Sequence, residues 1–286
     1  MKCLAICITG FEDICSNEIF EILKKKSKQL DSCVEFEANE KEYQKFCYYT
    51  QTSSRVLRDV NIFDINNIKS YKLGKTFAVR CIKKSSNLNS LEVESKVGEI
   101  ITGKVNLDDP DVTVIVFLND KVNFIGLDDF GDLSKRSYKI FLSPKSIKGN
   151  LAFSLLKFAG YDGKKTILDC FCSDGVIAIE AAAYSSGKSV RYYDKDRLNL
   201  DVKDTEVKVN GQVLAFDSIL ANVEKTKKNA KIAGVEKFFK VSKIDVEWLD
   251  TKLDEGSIDI ICSQFPEISK RTNKKDIEKL YKEFFY

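Results

Sequence analysis

The sequence predicts an α/β protein in two parts: an α+β N-terminal half with antiparallel sheet, then a parallel, doubly wound sheet. Three observations carry that expectation. Up to Leu127, short apolar runs are separated by helix stripes and close in a hairpin. From Asn150 onward, single strands alternate with helices, the pattern of parallel βα units. A length of 286 residues suffices for two domains that each bury a core.

In chain order, Leu4–Ile8 is a short apolar strand running into a turn at Gly10. Cys15, Ile19, Ile22 and Leu23 form the apolar stripe of a helix over Asp13–Lys28, with Lys24, Lys25 and Lys26 at the negative end of its dipole. Val34 and Phe36 alternate with glutamates as a half-exposed strand, and Glu40–Gln51 is helical. Thr76–Lys83 is a strand with Phe77, Val79 and Cys81 on one face. Val93, Val97, Ile100 and Ile101 mark a helix capped by Asn89 or Ser90. After the proline turn Leu107–Asp111, Val112–Leu118 and Val122–Leu127 pair across Asn119-Asp120-Lys121.

The second half opens with a helix at Asn150–Ala159. Strand Thr166–Cys170 and helix Val176–Tyr184 follow, then strand Val213–Phe216 and helix Ser218–Ala233. Short strands come at Phe238–Val241 and Ile258–Ser263, and the insertion Gly187–Gln212 carries a short strand of its own at Val190–Tyr193.

The chain holds 46 Lys+Arg against 43 Asp+Glu, a net charge of +3 that by itself separates no RNA binder from a small-molecule enzyme. Histidine is absent, which excludes Ser-His-Asp and Cys-His catalysis and His-ligated zinc or haem. The nine cysteines form no C-x-x-C pair and lie in apolar runs, as free thiols do in a reducing compartment. The longest apolar runs are strand-length and the N-terminus has no charged-then-apolar layout, so the expectation is a cytoplasmic protein with no membrane segment.

Three stretches could carry chemistry. In Ile167–Ile177 a buried strand ends in Asp169, a loop through Cys172, Ser173 and Gly175 follows, and a helix starts at once. Small loop residues let backbone N–H groups approach a ligand, and the helix N-terminus favours a carboxylate or phosphate. Asp217 ends the next strand, where an acid accepts both hydroxyls of a ribose. The usual separation is about 20 residues; here the insertion roughly doubles it, and Asp194 is the rival. Asp217 is preferred because a long helix completes its βα unit. Asp245, near the end of the following strand, is placed to reach an adenine amino group. The third stretch, Asp259–Glu267, ends a strand in Gln264, Phe265 and Pro266, a carboxamide able to hold an exocyclic amino group beside a stiff aromatic turn. Cys170, Cys172 and Cys262 lack a fourth ligand and the usual spacing, so no metal is expected.

The order of these segments resembles the THUMP-containing RNA methyltransferases. These class I S-adenosylmethionine enzymes methylate guanine N2 in tRNA or, in bacterial relatives, in large-subunit rRNA. Thr9–Cys15 is similar to the family's opening pGlEdv segment, and Ser54–Arg58 to its SRVL stretch. Phe77–Arg80, Val105–Asp111 and Asp132–Tyr138 are similar to the strand, turn and exit of a THUMP domain, and Ser143–Ala152 to the hPaslKpslA linker of the archaeal tRNA enzymes. In the cofactor motif, close to DPmCGSGTi, Asp169, Cys172 and Gly175 keep their places, while Cys170, Ser173-Asp174 and Val176 depart from it. Asp217 and the run Lys227–Val235 follow the second-strand acid and its helix. At the NPPY motif, Gln264 takes the asparagine slot, Phe265 and Pro266 the prolines, and Glu267 the aromatic.

The resemblance implies a ferredoxin-like α+β domain over 1–68, a THUMP RNA-binding domain over 69–142, a linker over 143–163 and a Rossmann-like methyltransferase domain over 164–286. It implies S-adenosylmethionine as cofactor, held by Asp169, Cys172, Ser173, Gly175, Asp217 and Asp245, with Gln264, Phe265 and Pro266 catalytic. It implies RNA as partner, tRNA ahead of rRNA. Family members continue through three further strands after the helix matching Asp276–Phe285, so that part of the sheet is expected to be open or covered by a protein partner. The altered motif keeps a second reading open: a THUMP RNA-binding protein or regulatory subunit without turnover.

Overall fold

The computed structural model describes residues 1–66, 71–195, 202, 211–268 and 273–285. The chain forms two compact units, Met1–Ser134 and Lys135–Tyr286.

In the first unit, β1 (Lys2–Ile6) leads into α1 (Glu12–Leu23), then β2 (Ser27–Leu30), β3 (Cys33–Glu37), α2 (Glu40–Tyr49) and β4 (Arg55–Ile62). β5 (Tyr71–Lys83), α3 (Ser90–Ile100), β6 (Ile101–Val105), β7 (Val112–Leu118) and β8 (Phe124–Asp128) follow. All eight strands join one sheet in the order β2-β3-β1-β4-β8-β7-β5-β6. The segments expected as separate domains over 1–68 and 69–142 therefore share a sheet, joined where β4 pairs antiparallel with β8. The sheet is mixed, because β5 runs parallel to both β6 and β7.

The helix expected over Asp13–Lys28 stops at Leu23. Lys24 takes a left-handed φ of 58° as its C-cap, and the following residues pair with β3 as β2. Three lysines at a helix end read equally well as a charged turn into an edge strand, which is why β2 was invisible in the pattern. β4 and β6 were also missed: β4 alternates Arg, Asp and Asn with its apolar residues, and β6 is short and mostly exposed. Arg55 pairs with the buried Asp128, and Arg58 with Asp129 at 2.5 Å, so two ion pairs cross the β4–β8 junction.

In the second unit, α4 (Gly149–Phe158) precedes β9 (Ile167–Asp169) and α5 (Val176–Ser186). β10 (Val213–Asp217), α6 (Leu220–Ala233), β11 (Lys240–Lys243), the short α7 (Leu249–Lys252), β12 (Ile260–Ile261) and α8 (Lys274–Phe285) complete it. The strands form a parallel sheet, β11-β10-β9-β12. The strand expected at Val190–Tyr193 is not formed: Tyr192–Asp194 is a turn of 3-10 helix, and β10 is the strand that pairs with β9. The bulky β-branched and aromatic run there satisfied a strand pattern, but its tyrosines are partly exposed and Lys188 lies over the Tyr192 ring at 4.0 Å.

α5 is apolar on every side and almost wholly buried, since it lies in the middle of the unit's core. Its one carboxylate, Glu180, is fully buried and accepts from Arg136 Nε at 2.8 Å and from the Tyr138 hydroxyl at 2.7 Å. A buried ion pair of this kind persists because its remaining hydrogen-bonding capacity is filled. It ties the start of the unit to α5. Gly149 has to be glycine there, because a Cβ would come within 2.6 Å of both Arg136 Nε and Glu180 Oε1. Among the described residues no helix is long and apolar enough to cross a membrane.

Candidate functional site

The carboxyl ends of β9, β10, β11 and β12 lie along one edge of the parallel sheet, where open α/β sheets take ligands. The β9–α5 loop is shaped by its own hydrogen bonds. Cys172 N–H donates to the Phe216 carbonyl at 2.9 Å, and the Cys172 thiol lies 3.5 Å from Thr226 Oγ1. The loop then reverses through two left-handed residues, Ser173 at φ 55° and Gly175 at φ 85°. A side chain at Gly175 would be strained by that φ and would meet Thr226 at 2.7 Å. Cys172 thus fastens the loop from below with a buried thiol, while the backbone of Ser173 and Gly175 forms the turn.

Asp217 is buried at the end of β10. Its carboxylate accepts from Ser173 N–H at 2.9 Å, from Ile219 N–H at 2.9 Å, and from the Asn222 amide at 3.1 and 3.2 Å. Those bonds use the four acceptor positions a carboxylate offers. For ribose hydroxyls to bond to Asp217, a present donor has to withdraw, and the half-buried Asn222 amide is the one donor that belongs to a side chain rather than to the backbone. Ile219 and Leu220, each 57% exposed, flank the acid with apolar surface able to cover a flat heterocycle. Asp245 follows β11 one residue past Ile244, whose N–H donates to the Asp217 carbonyl at 3.2 Å. Its side chain is exposed and makes no cap hydrogen bond.

Asp174, which departs from the family pattern, is turned away from the loop's turn. It is buried, its carboxylate accepts from Ser143 N–H at 3.1 Å, and its carbonyl accepts from Asn229 at 2.9 Å. Asn229 also exchanges two hydrogen bonds with the Phe141 backbone. The acid therefore serves to hold the 141–143 segment. α5 starts at Gly175 with no side-chain cap and no acid in its first turn, which leaves its positive end open to an anion.

Asp169 sits at the centre of the edge, fully buried, and takes a hydrogen bond from Ser263 Oγ, which itself accepts from Phe171 N–H at 2.9 Å. Burial lifts its carboxyl from 3.8 to about 7, against that hydrogen bond. Ser263 thereby couples β9 to the residue just before Gln264, a link no spacing rule in the sequence reveals. Because the folded state favours the protonated acid, its stabilising contribution is complete below about pH 4 and is lost as pH rises through about 7. The full effect amounts to about 4 kcal/mol. In urea unfolding, the stability of the wild type relative to Asp169→Asn should fall over that window; parallel pH profiles would refute it.

Gln264 stands three residues beyond the end of β12, and its carboxamide makes no hydrogen bond to any described residue. The Phe265 ring lies against Phe171, Phe284 and Phe285, with centroids 5.0, 4.9 and 5.7 Å away, and Tyr281 O–H donates to the Pro266 carbonyl at 3.0 Å. Phe265 and Pro266 thus anchor α8, while Gln264 between Ser263 and Phe265 is half-buried. Glu267 pairs with Lys145 at 3.0 Å, both exposed. Cys170 and Cys262 are free thiols that burial pushes up to about 12. Among the described residues no group of three or more Cys, Asp or Glu is arranged to hold a metal ion.

A parallel sheet with helices between its strands, a small-residue βα loop and an acid at the end of the second strand is the form of an open α/β domain that takes its ligand at the carboxyl edge of the sheet. Residues 136–286 match the RMKL-like methyltransferase domain family, and residues 65–128 match the THUMP domain. The chain belongs to the RMKL-like methyltransferase family, with a THUMP domain in its first unit. It is 25% identical to a tRNA (guanine(6)-N2)-methyltransferase of Methanocaldococcus jannaschii, over 96% of this chain and 83% of that protein. It is 24% identical to the ribosomal RNA large subunit methyltransferase K/L of Buchnera aphidicola, over 90% of this chain; it spans 43% of that protein. In fold it is similar to SMU.472, a methyltransferase solved with S-adenosylhomocysteine. The TM-score is 0.73 at 17% identity, covering 99% of this chain and 84% of that one.

The edge brings Asp169, Ser173, Gly175, Asp217, Asp245 and Gln264 to one side of one sheet. The Cys172 side chain and the Phe265 ring instead point into packing. Ser263 and Asn222 are the additions that the structure makes.

Proposed function

We propose that the protein is an S-adenosylmethionine-dependent methyltransferase acting on guanine N2 of RNA, with tRNA ahead of rRNA as substrate. The observation that carries this reading is the alignment of Asp217, Asp245 and Gln264 with the uncapped α5 start along a single sheet edge. S-adenosylmethionine supplies a methyl group activated by its sulfonium. Asp217 holds the ribose hydroxyls once Asn222 releases it, Asp245 accepts from the adenine amino group, and the α5 N-terminus faces the methionine carboxylate. Gln264 would accept a hydrogen bond from the guanine amino group and hold that nitrogen in place; transfer of the methyl group would release the demethylated thioether and the displaced amino proton to solvent. Catalysis of this kind is chiefly positioning, and it uses no imidazole. The THUMP-bearing unit holds the RNA, as the names of the tRNA- and rRNA-modifying relatives support.

The test is calorimetric titration with S-adenosylmethionine, followed by transfer of labelled methyl groups to bulk tRNA. Cofactor binding with label in N2-methylguanosine is the expected result. No binding at millimolar cofactor overturns the reading and leaves an RNA-binding protein without turnover, for which the Gln264 and Glu267 departures from the family motif speak.

A further inference from the structure

At the β6 edge of the first unit the ladder between β5 and β6 is broken. Lys72 pairs with Thr102, and the next paired residues are Thr76 and Lys104, so three residues of β5 bulge out opposite the single Gly103. Gly74 crosses the bulge at φ 63° with open space over its Cα. Gly103 is compressed beneath it, and a Cβ there would come within 2.9 Å of the Lys75 carbonyl. The result is an open groove of about 530 Å³ lined by Lys72, Gly74, Lys75, Thr76, Lys104 and Asp111, among others.

The groove carries three lysines against one aspartate. Lys72 and Lys104 have no ion pair among the described residues, and all three lysines are exposed. The one carboxylate, Asp111, is already engaged: Thr76 N–H donates to it at 2.9 Å and the Thr76 hydroxyl at 2.6 Å. Those bonds, and the nearby charge of Lys75, hold its pKa low, so Asp111 stays ionised, pins the entry of β7 and offsets part of the lysine charge, leaving the lining net positive. Val105 and Leu107, 55% and 59% exposed, add apolar surface on the continuation of β6. Lysines on an edge strand also discourage strand addition. That role needs neither a three-residue bulge nor three lysines converging from two strands on a hollow.

We propose that the β5–β6 bulge groove is a phosphodiester-binding site, in which Lys72, Lys75 and Lys104 contact consecutive phosphates of the RNA substrate. The claim rests on the RNA reading given above and assigns part of the RNA contact to a particular place. Lysine is suited to it because a flexible ammonium follows a backbone without demanding a fixed geometry.

The experiment is fluorescence anisotropy with labelled bulk tRNA at several salt concentrations, using the full chain. The triple variant Lys72→Gln/Lys75→Gln/Lys104→Gln should bind at least about tenfold more weakly at low salt. The slope of log affinity against log salt should be smaller by about 2 to 3. The triple arginine variant should keep both affinity and slope, and the glutamine variant should keep the circular dichroism and melting point of the wild type, which a loss of folding would change. A triple glutamine variant with wild-type affinity and slope overturns the groove while the RNA reading stands. A wild-type chain that binds no RNA overturns both.

Discussion

Asp217→Ala should abolish measurable S-adenosylmethionine binding, a loss of at least about 100-fold, because two hydroxyl hydrogen bonds to one carboxylate contribute roughly 1.5–3 kcal/mol each. The substitution acts twice. It removes the acceptor for the ribose, and it releases Ser173 N–H, which Asp217 now holds at 2.9 Å in a loop with left-handed backbone. The two contributions separate in Asn222→Ala, which frees acceptor positions on Asp217 and leaves the Ser173 bond intact. That variant should bind the cofactor at least as tightly as wild type. Titration calorimetry reads both, and undiminished affinity in Asp217→Ala would move the ribose to another residue.

The second large effect is expected at Gln264. Gln264→Ala should lower the single-turnover rate of methyl transfer by about 10²–10³, the usual result of removing one positioned polar group from a reacting centre. Cofactor affinity should stay within about twofold, since the bonds that shape the β9–α5 loop and Asp217 come from other side chains, Ser263 and Asn222 among them. Gln264→Asn restores the family residue and shortens the reach by one methylene. It should keep activity if the loop tolerates the difference. A rate unchanged in Gln264→Ala would remove this side chain from the reaction.

Much of this architecture was legible because the second unit obeys simple periodicity. Its strand–helix alternation and the positions of Asp169, Asp217 and Asp245 at or just past strand ends follow from the sequence pattern, and β10 pairs with β9. What the pattern missed shares one physical cause, namely that sidedness is set by neighbours. β2, β4 and β6 carry many charged or exposed residues, and they are strands because adjacent strands complete their hydrogen bonds. The direction of a side chain at a loop is equally non-local. Cys172 and Asp174 have the spacing of cofactor-loop residues, yet one packs on Thr226 and the other reaches Ser143. Phe265 occupies a motif position and is captured by the aromatic residues of α8, a helix whose docking no short motif encodes. Ser263 could have been suspected only by asking what satisfies a buried Asp169.

The β4–β8 pairing carries a consequence for how this chain can be divided. A THUMP domain that hangs from a neighbour by a tether could be exchanged between proteins as a cassette. Here the sheet does not respect such a cut. A break between Ile62 and Tyr71 would strip β4 from β8, leave two raw strand edges, and separate Arg55 and Arg58 from Asp128 and Asp129. The two segments thus share one hydrogen-bonded ladder, and a fragment that begins at β5 exposes the β8 edge that β4 covers.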